Sequence, residues 1–409
     1  MTVPSSTGIG APGTAPAPAN LSRSPMASSP QAQAASAIPF TRGSTLATMK
    51  DATLGTAVAV ASSTNQVQLQ TNAFLESIIL DVSLTTSGNS AAVAFAADAP
   101  WNVINQIKLD DPAGQSIIAP ITGYQLYLLN KYLTDTDCFF DPQLDPNYST
   151  TAGTTGAGGS FSFRLVVPVE HRRRDALGAL NNSAANQRYL LTITVVSSLG
   201  GTANIYTTAP TTPATGISIQ VYQQYWTSPP QVITTAQGQS QVQATPSGLG
   251  TVGFVRYERH NEVSGGGTPQ IQLNNVGDYI SNVIFVLRAT STSARDVVDW
   301  PSEFDWWVND FQVHALSTND FQRWMTRFYR YTAAVGSAGG LDTGVFCLAP
   351  WLDGMFDRVE NFIPANQYLP TDATTKLQIR GSTWGTAAGF LEVLTRMIRP
   401  VSGTALFSA

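Results

Sequence analysis

Short segments from the first half of this chain return, in the same order, in the second half. Leu75-Glu76-Ser77-Ile78-Ile79-Leu80 parallels Ile280-Ser281-Asn282-Val283-Ile284-Phe285, and Asp98-Ala99-Pro100-Trp101 parallels Asp299-Trp300-Pro301. Tyr124-Gln125 is echoed by Phe321-Gln322, and Leu165-Val166-Val167-Pro168 by Cys347-Leu348-Ala349-Pro350. Ala185-Asn186-Gln187 matches Ala365-Asn366-Gln367, Leu191-Thr192-Ile193 matches Leu377-Gln378-Ile379, and Gly216 through Val221 matches Gly389 through Leu394. Each match alone is weak, but their shared order points to a structural duplication, which must be recognised before any single element is read.

The repeated unit reads as strands. Ile78, Leu80, Val82 and Leu84 alternate with Ile79, Asp81 and Ser83, and Phe161, Phe163 and Leu165 alternate with Ser162 and Arg164. The same period of two runs through Leu191, Ile193 and Val195 and through Ile217, Ile219 and Val221. Such alternation, rich in β-branched and aromatic residues, predicts half-buried strands in antiparallel sheets. Two segments change period. Ile121, Tyr124, Leu128 and Tyr132 recur at helical spacing, as do Phe321, Trp324, Met325 and Phe328 behind an N-cap-like Ser317 and Asp320.

Each half therefore supplies about eight strands and one inserted helix. The predicted fold is all-β, two tandem eight-stranded antiparallel jelly rolls. The expected division is an extended N-terminal arm over residues 1–45, a first roll over 46–230, a linker over 231–250, a second roll over 251–400 and a C-terminal tail over 401–409. The first 40 residues are Pro, Ala, Ser, Gly and Thr with Arg23 as the sole charge, a composition that cannot bury enough apolar area to fold alone. They read either as a disordered tail or, as favoured here, as an arm that orders against neighbours.

Composition narrows the function. Only 12% of the 409 residues are charged, against about a quarter in ordinary soluble proteins. A free monomer keeps a charged surface for solubility, so a chain this poor in charge is expected to cover itself with copies or partners. Lys50, Lys108, Lys131 and Lys376 are its only lysines. The remaining basic residues are arginines, which suit interfaces because the planar guanidinium binds carboxylates bidentately and stacks on aromatics. With a net charge of −5 and no long basic run, no direct nucleic-acid binding is expected. The longest apolar stretch, Ala91 to Ala97, ends at Asp98, far short of the roughly 18 residues of a membrane helix. The N-terminus has neither the basic start nor the apolar core of a secretory signal. Two cysteines, Cys138 and Cys347, allow no disulfide framework or zinc cluster, and both read as buried thiols.

Two similar jelly rolls in tandem, each with an inserted helix, resemble the double jelly-roll major capsid proteins of tectivirus-like phages, related icosahedral viruses and the adenovirus hexon. The segments carrying the resemblance are 74–84, 102–133, 161–168, 279–288 and 300–331. It implies a non-catalytic structural protein of a virion, assembled in the host cytoplasm and most naturally from a bacteriophage. It also implies a homotrimer of six similar wedges, a pseudo-hexagonal capsomer that tiles an icosahedral shell. Neighbouring capsomers, vertex or other minor capsid proteins and an internal membrane are the implied partners, and no cofactor is implied. The alternatives are a carbohydrate-binding or glycoside-cleaving β-sandwich protein and a minor vertex or spike protein.

Candidate chemistry is sparse. His171, His260 and His314 are scattered, with no metal-ligand spacing. The densest charge cluster is His171-Arg172-Arg173-Arg174-Asp175. It reads as a solvated loop or as a contact with acidic loops of a neighbouring subunit near Asp141 or Asp145. With Arg23 and Arg42, residues His171, Arg172, Arg173 and Arg174 form the candidate inter-subunit set. Asp296, Asp299, Glu303 and Asp305 interleave with Trp300, Trp306 and Trp307, which could suggest a glycosidase. The plainer reading puts the tryptophans in a core and the acids in solvent.

Overall fold

The computed structural model describes residues 38–51, 63–86, 93–132, 147–148, 159–173, 175–199, 205–214, 216–230, 232–235, 238–261, 267–290, 292–296, 300–329, 342–348, 368–381, 384–385 and 389–401. The first half contributes strands β1 (Leu46–Lys50), β2 (Thr64–Gln68), β3 (Phe74–Leu84), β4 (Ile104–Asp110), β5 (Ser116–Ile121), β6 (Phe161–Pro168), β7 (Leu190–Val195) and β8 (Ser218–Trp226). The second contributes β9 (Val252–His260), β10 (Ile271–Leu273), β11 (Tyr279–Ala289), β12 (Glu303–Val308), β13 (Phe311–Ser317), β14 (Val345–Leu348), β15 (Leu377–Gly381) and β16 (Gly389–Arg399). Helix α1 (Phe40–Gly43) precedes β1, α2 (Gly123–Tyr132) follows β5, and α3 (Thr318–Tyr329) follows β13.

The pairing is the duplication made physical. In the first half β1-β8-β3-β6 form one sheet and β2-β7-β4-β5 another; in the second half the orders are β9-β16-β11-β14 and β10-β15-β12-β13. Adding eight to each strand number converts one half into the other. Each half is thus a pair of antiparallel four-stranded sheets interleaved along the chain, a jelly roll. Both inserted helices sit between the fifth and sixth strands of their half, where the period changed. Short extra pairings decorate the frame, including a hairpin of Val232–Thr235 and Gly238–Gln241 between the rolls.

Side-chain alternation explains most of the packing. Strand β6 buries Phe161, Phe163, Leu165 and Val167 and turns Ser162, Arg164 and Val166 outward. Strands β11 and β16 differ, because they are buried along nearly their whole length on both faces. One face lines the second roll's own core; the other is covered by the first roll. Buried residues of both rolls accordingly merge into one apolar core.

The helices show the same asymmetry. Nine of the ten residues of α2 are buried, whereas α3 buries Phe321, Gln322 and Met325 and exposes Asn319, Asp320, Arg323 and Thr326. Thr122 and Gln125 close the start of α2 reciprocally: Gln125 N–H donates to Thr122 Oγ1 at 3.1 Å, and Thr122 N–H donates to Gln125 Oε1 at 2.9 Å. Ser317 caps α3, its Oγ accepting the Asp320 N–H at 3.1 Å.

The start of the first roll lies before β1. Phe40, 2% exposed, packs edge-on against Phe74 and Trp226 at ring separations of 5.3 and 6.2 Å. Ile38 pairs with Val242. The last residues of the segment read as an extended arm are therefore one helical turn that plugs the roll. Among the described residues, no helix is long and apolar enough to cross a membrane.

Candidate functional site

The densest buried chemistry lies along the seam where the first roll covers the outer face of β9-β16-β11-β14. At one edge β5 and β9 run parallel, with Ile118 opposite Val255, and the Arg256 guanidinium donates to the Ser116 carbonyl at 2.7 Å. At the end of α2, Lys131 pairs with Asp342, both side chains almost wholly buried. Asn282 on β11 donates to the Tyr132 carbonyl at 3.1 Å.

Between these points Asp98 bridges two arginines, meeting Arg288 Nη1 at 2.8 Å and Arg295 Nε at 2.7 Å. Arg288 also holds Glu392 at 2.8 Å, and Arg295 donates to the carbonyls of Thr343 and Ala97 at 2.7 and 2.8 Å. Both guanidinium groups lie over the Tyr124 ring. Burial alone would lower the Arg288 pKa, but the Asp98 and Glu392 carboxylates outweigh it and hold it above the ordinary value. A buried charge survives only when it is paired and hydrogen-bonded, as here.

A second buried cluster sits on the loop after β6. Glu170 is 2% exposed and accepts the Trp226 Nε1–H at 2.6 Å. Burial, reinforced by the neighbouring Glu76 carboxylate, pushes its pKa up to about 8. His171 is wholly buried against Tyr368, with ring centres 5.2 Å apart. Burial, then the Arg396 and Arg172 charges, holds its pKa well below the usual histidine range. Arg396 reaches across from β16 to the Glu170 carbonyl at 3.0 Å. Two glycines permit the close approach. A Cβ on Gly253 would lie 3.3 Å from the Val169 carbonyl oxygen, and Gly178, at φ +88°, would press on His171 N.

The residues singled out in the sequence are distributed as follows. Arg42 is exposed at the end of α1. Arg172 is held by Asp175 through two hydrogen bonds of 2.9 and 2.5 Å, and Arg173 is half-buried in the same loop. His171 faces the interior of its own chain rather than solvent. Arg23, Arg174, Asp141, Asp145, Asp299 and Cys138 lie outside the described residues, and Cys347 is buried. Trp300 and Trp306 join Phe285, Phe304, Phe346 and Trp384 inside the second roll. Glu303 is exposed and Asp305 half-buried on β12, so Trp300 and Trp306 belong to the core, while Trp307 is half-buried beneath the Arg380 guanidinium. A cleft of about 820 Å³ opens beside the turn between β4 and β5, lined by residues including Gln68, Asp111, Gln115, Arg188 and Tyr189. Asp111 is the single carboxylate of its lining, and it already accepts the Ala113 and Gln115 N–H groups. No group of metal ligands occurs among the described residues.

The seam residues escaped the sequence reading, although a signal existed. Arg288 closes the apolar run Val283–Leu287 and Glu392 stands between Leu391 and Val393, and a charge in such a run marks a buried pair.

No family model matches the sequence, and no curated protein matches it. Solved structures do. The crystal structure of the STIV MCP superposes with a TM-score of 0.59 and 13% identity over 87% of this chain and 96% of that one. The atomic structure of Sulfolobus Turreted Icosahedral Virus gives 0.60 and 12% over 86% and 90%. The PBCV-1 virus capsid gives 0.55 and 11% over 88% and 95%. At these identities the likeness is one of fold, and it agrees with the strand order: the chain has the double jelly-roll fold of these capsid proteins.

Proposed function

We propose that this chain is the major capsid protein of an icosahedral virus, a bacteriophage, and that it works as a homotrimeric, pseudo-hexagonal capsomer without catalysis. The observation that carries this reading is the duplication, strand for strand, of a jelly roll whose two copies are locked by a buried seam into one block. Three such blocks present six similar walls, which can tile a facet. The likeness to capsid proteins over nearly their whole length supports the same reading.

The working division of the chain is an arm, a first roll, a linker, a second roll and a tail, at the boundaries expected from sequence except that the first roll begins before Phe40. The partners are copies of the chain, then vertex or other minor capsid proteins, with an underlying membrane. Arg42 and Arg172 to Arg174, with Arg23 of the arm, are proposed contacts between subunits; buried His171 fixes the base of their loop.

Light scattering on the purified chain is expected to give three times the mass of 43.6 kDa. A stable monomer at all concentrations would sink the capsomer. Because Phe40 is part of the fold, the arm should be removed only through residue 36. That deletion is expected to spare trimers and to reduce shell yield, scored by electron microscopy.

A further inference from the structure

Most buried positive charge at the seam is arginine. The side chains of Arg288, Arg295 and Arg396 are covered there, and a guanidinium suits such sites because it keeps its proton and pairs bidentately. Lys131 is the exception. Of the chain's four lysines, Lys50 is exposed, and Lys108 and Lys376 keep 32% and 57% of their side chains in solvent, whereas Lys131 keeps 3%. Its Nζ is in direct contact with Oδ2 of Asp342, whose side chain is 0% exposed, and stands 5.5 Å from the centre of the Tyr132 ring. An ammonium differs from a guanidinium in one chemical respect: once it gives up a proton, it is a nucleophile.

Both partners are held from behind. The Tyr132 carbonyl, at the end of α2, accepts the Asn282 side-chain N–H at 3.1 Å. The turn carrying Asp342 is pinned at three successive carbonyls. That of Asp342 accepts the Val345 N–H at 3.0 Å, that of Thr343 the Arg295 guanidinium at 2.7 Å, and that of Gly344 the Leu287 N–H at 3.2 Å. Gly344, at φ +73°, lies so near Asp296 that a Cβ would fall 2.6 Å from its carbonyl oxygen. The carboxyl carbon of Asp342 is one bond from the oxygen that Lys131 touches. Reacting groups fixed at such range behave as if present at about 10⁵–10⁸ M.

We propose that Lys131 and Asp342 condense to an amide that joins the two rolls covalently. Contact between opposite charges favours the ions, whereas removal from water favours a neutral pair. In the neutral form the ammonium has passed one proton to the carboxylate. The Nζ lone pair then attacks Cγ. The Nζ–Cγ bond forms, a Cγ–Oδ bond breaks, and the oxygen leaves as water with that proton and a second one from nitrogen. Nothing is oxidised or reduced, and no co-reactant is needed. Only the minor neutral form reacts, so a freshly made chain holds the ion pair and acquires the bond with age. The bond bridges 211 positions of the chain, and neither roll can then leave the other. The proposal stands on this site alone and does not depend on the capsomer.

The test is mass spectrometry of the full chain, fresh and after weeks of storage. A fraction lighter than the sequence mass by one water is expected, growing with storage. Its tryptic digest should hold a branched peptide in which residues 109–164, uncut at 131, are joined to residues 331–358. Lys131→Arg keeps the charge but cannot form the amide, and should keep the full mass. Full mass with complete cleavage after Lys131, in fresh and stored wild type alike, would overturn the proposal. So would an equal loss of water from Lys131→Arg, which would place the dehydration elsewhere. If Lys131→Arg does not fold, the branched peptide decides alone. A chain that is monomeric and carries the bond would remove the capsomer and leave this proposal standing.

Discussion

Replacing Lys131 with methionine is expected to destabilise the chain by about 3–5 kcal/mol, the usual cost of leaving a buried charge without its partner. Lys131 ends α2 in the first roll, and Asp342 precedes β14 in the second. Their side chains are 3% and 0% exposed, so solvent cannot stand in for the missing ammonium. Adding Asp342→Asn removes the stranded charge and should recover most of the loss. Chemical denaturation of the two single variants and the double variant forms a cycle that isolates the pair. Losses that simply add would mean that the pair does not couple the rolls.

The second large effect is a dependence on pH centred on Glu170 and His171. A carboxyl whose folded-state pKa, about 8, lies above its unfolded value of about 4.5 holds a proton that unfolding releases. Stability therefore falls as pH rises through that window. At about 1.36 kcal/mol per pKa unit, the decline reaches roughly 5 kcal/mol by pH 9. Glu170→Gln keeps an acceptor for the Trp226 N–H and cannot ionise, so its stability should stay nearly level there. His171 acts in the opposite sense. Its ring is held neutral in the fold, so unfolding takes up a proton in acid, and stability is lost as pH falls below about 6.5. Between about pH 4.5 and 6.5 the two slopes cancel, and the wild-type chain should show a plateau with a decline on either side. Equal slopes for wild type and Glu170→Gln between pH 7 and 9 would refute the assignment. The charges facing this pair come from Glu76 on β3, Arg172, Arg173 and Asp175 on its own loop, and Arg396 on β16.

The duplication was legible because alternating strands keep their pattern on one buried face. The segments at 75–80 and 280–285 fall on β3 and β11, and those at 191–193 and 377–379 on β7 and β15. Register was less legible. Matching Gly216 with Gly389 sets Val221 against Leu394, but the structural partner is Val393, one residue earlier. A one-residue slip turns every side chain to the opposite face. The sequence could not expose it, because β16 mixes apolar and polar residues on both faces, Glu392 and Arg396 on one and Thr395 and Arg399 on the other, and has no alternation to read. Tyr124-Gln125 and Phe321-Gln322 slip similarly, standing at different distances from the caps Thr122 and Ser317. The match at 365–367 lies outside the described residues. The ion pairs were hidden for another reason: Asp98 and Arg295 are 197 positions apart in the chain, and local pattern carries no record of such a meeting. The scarcity of charge also gains a sharper meaning. Arg288, Glu170 and Glu392 are buried within the chain, so the outer surface is poorer in charge than the composition suggests.

The burial of α2 also has a consequence for synthesis. Its Tyr127, Leu128 and Leu129 are each 0% exposed, and its end is sealed by Asn282 and Asp342. Those partners leave the ribosome more than a hundred residues later, on the order of 10–40 s at 5–20 residues per second. Until then α2 packs only on Trp101, β4 and β6 of the first roll, and its side toward β11 is uncovered. Expressed alone, residues 38–230 should therefore collect in the insoluble fraction, while the full chain does not. The second half thus serves the first as a built-in chaperone that never departs.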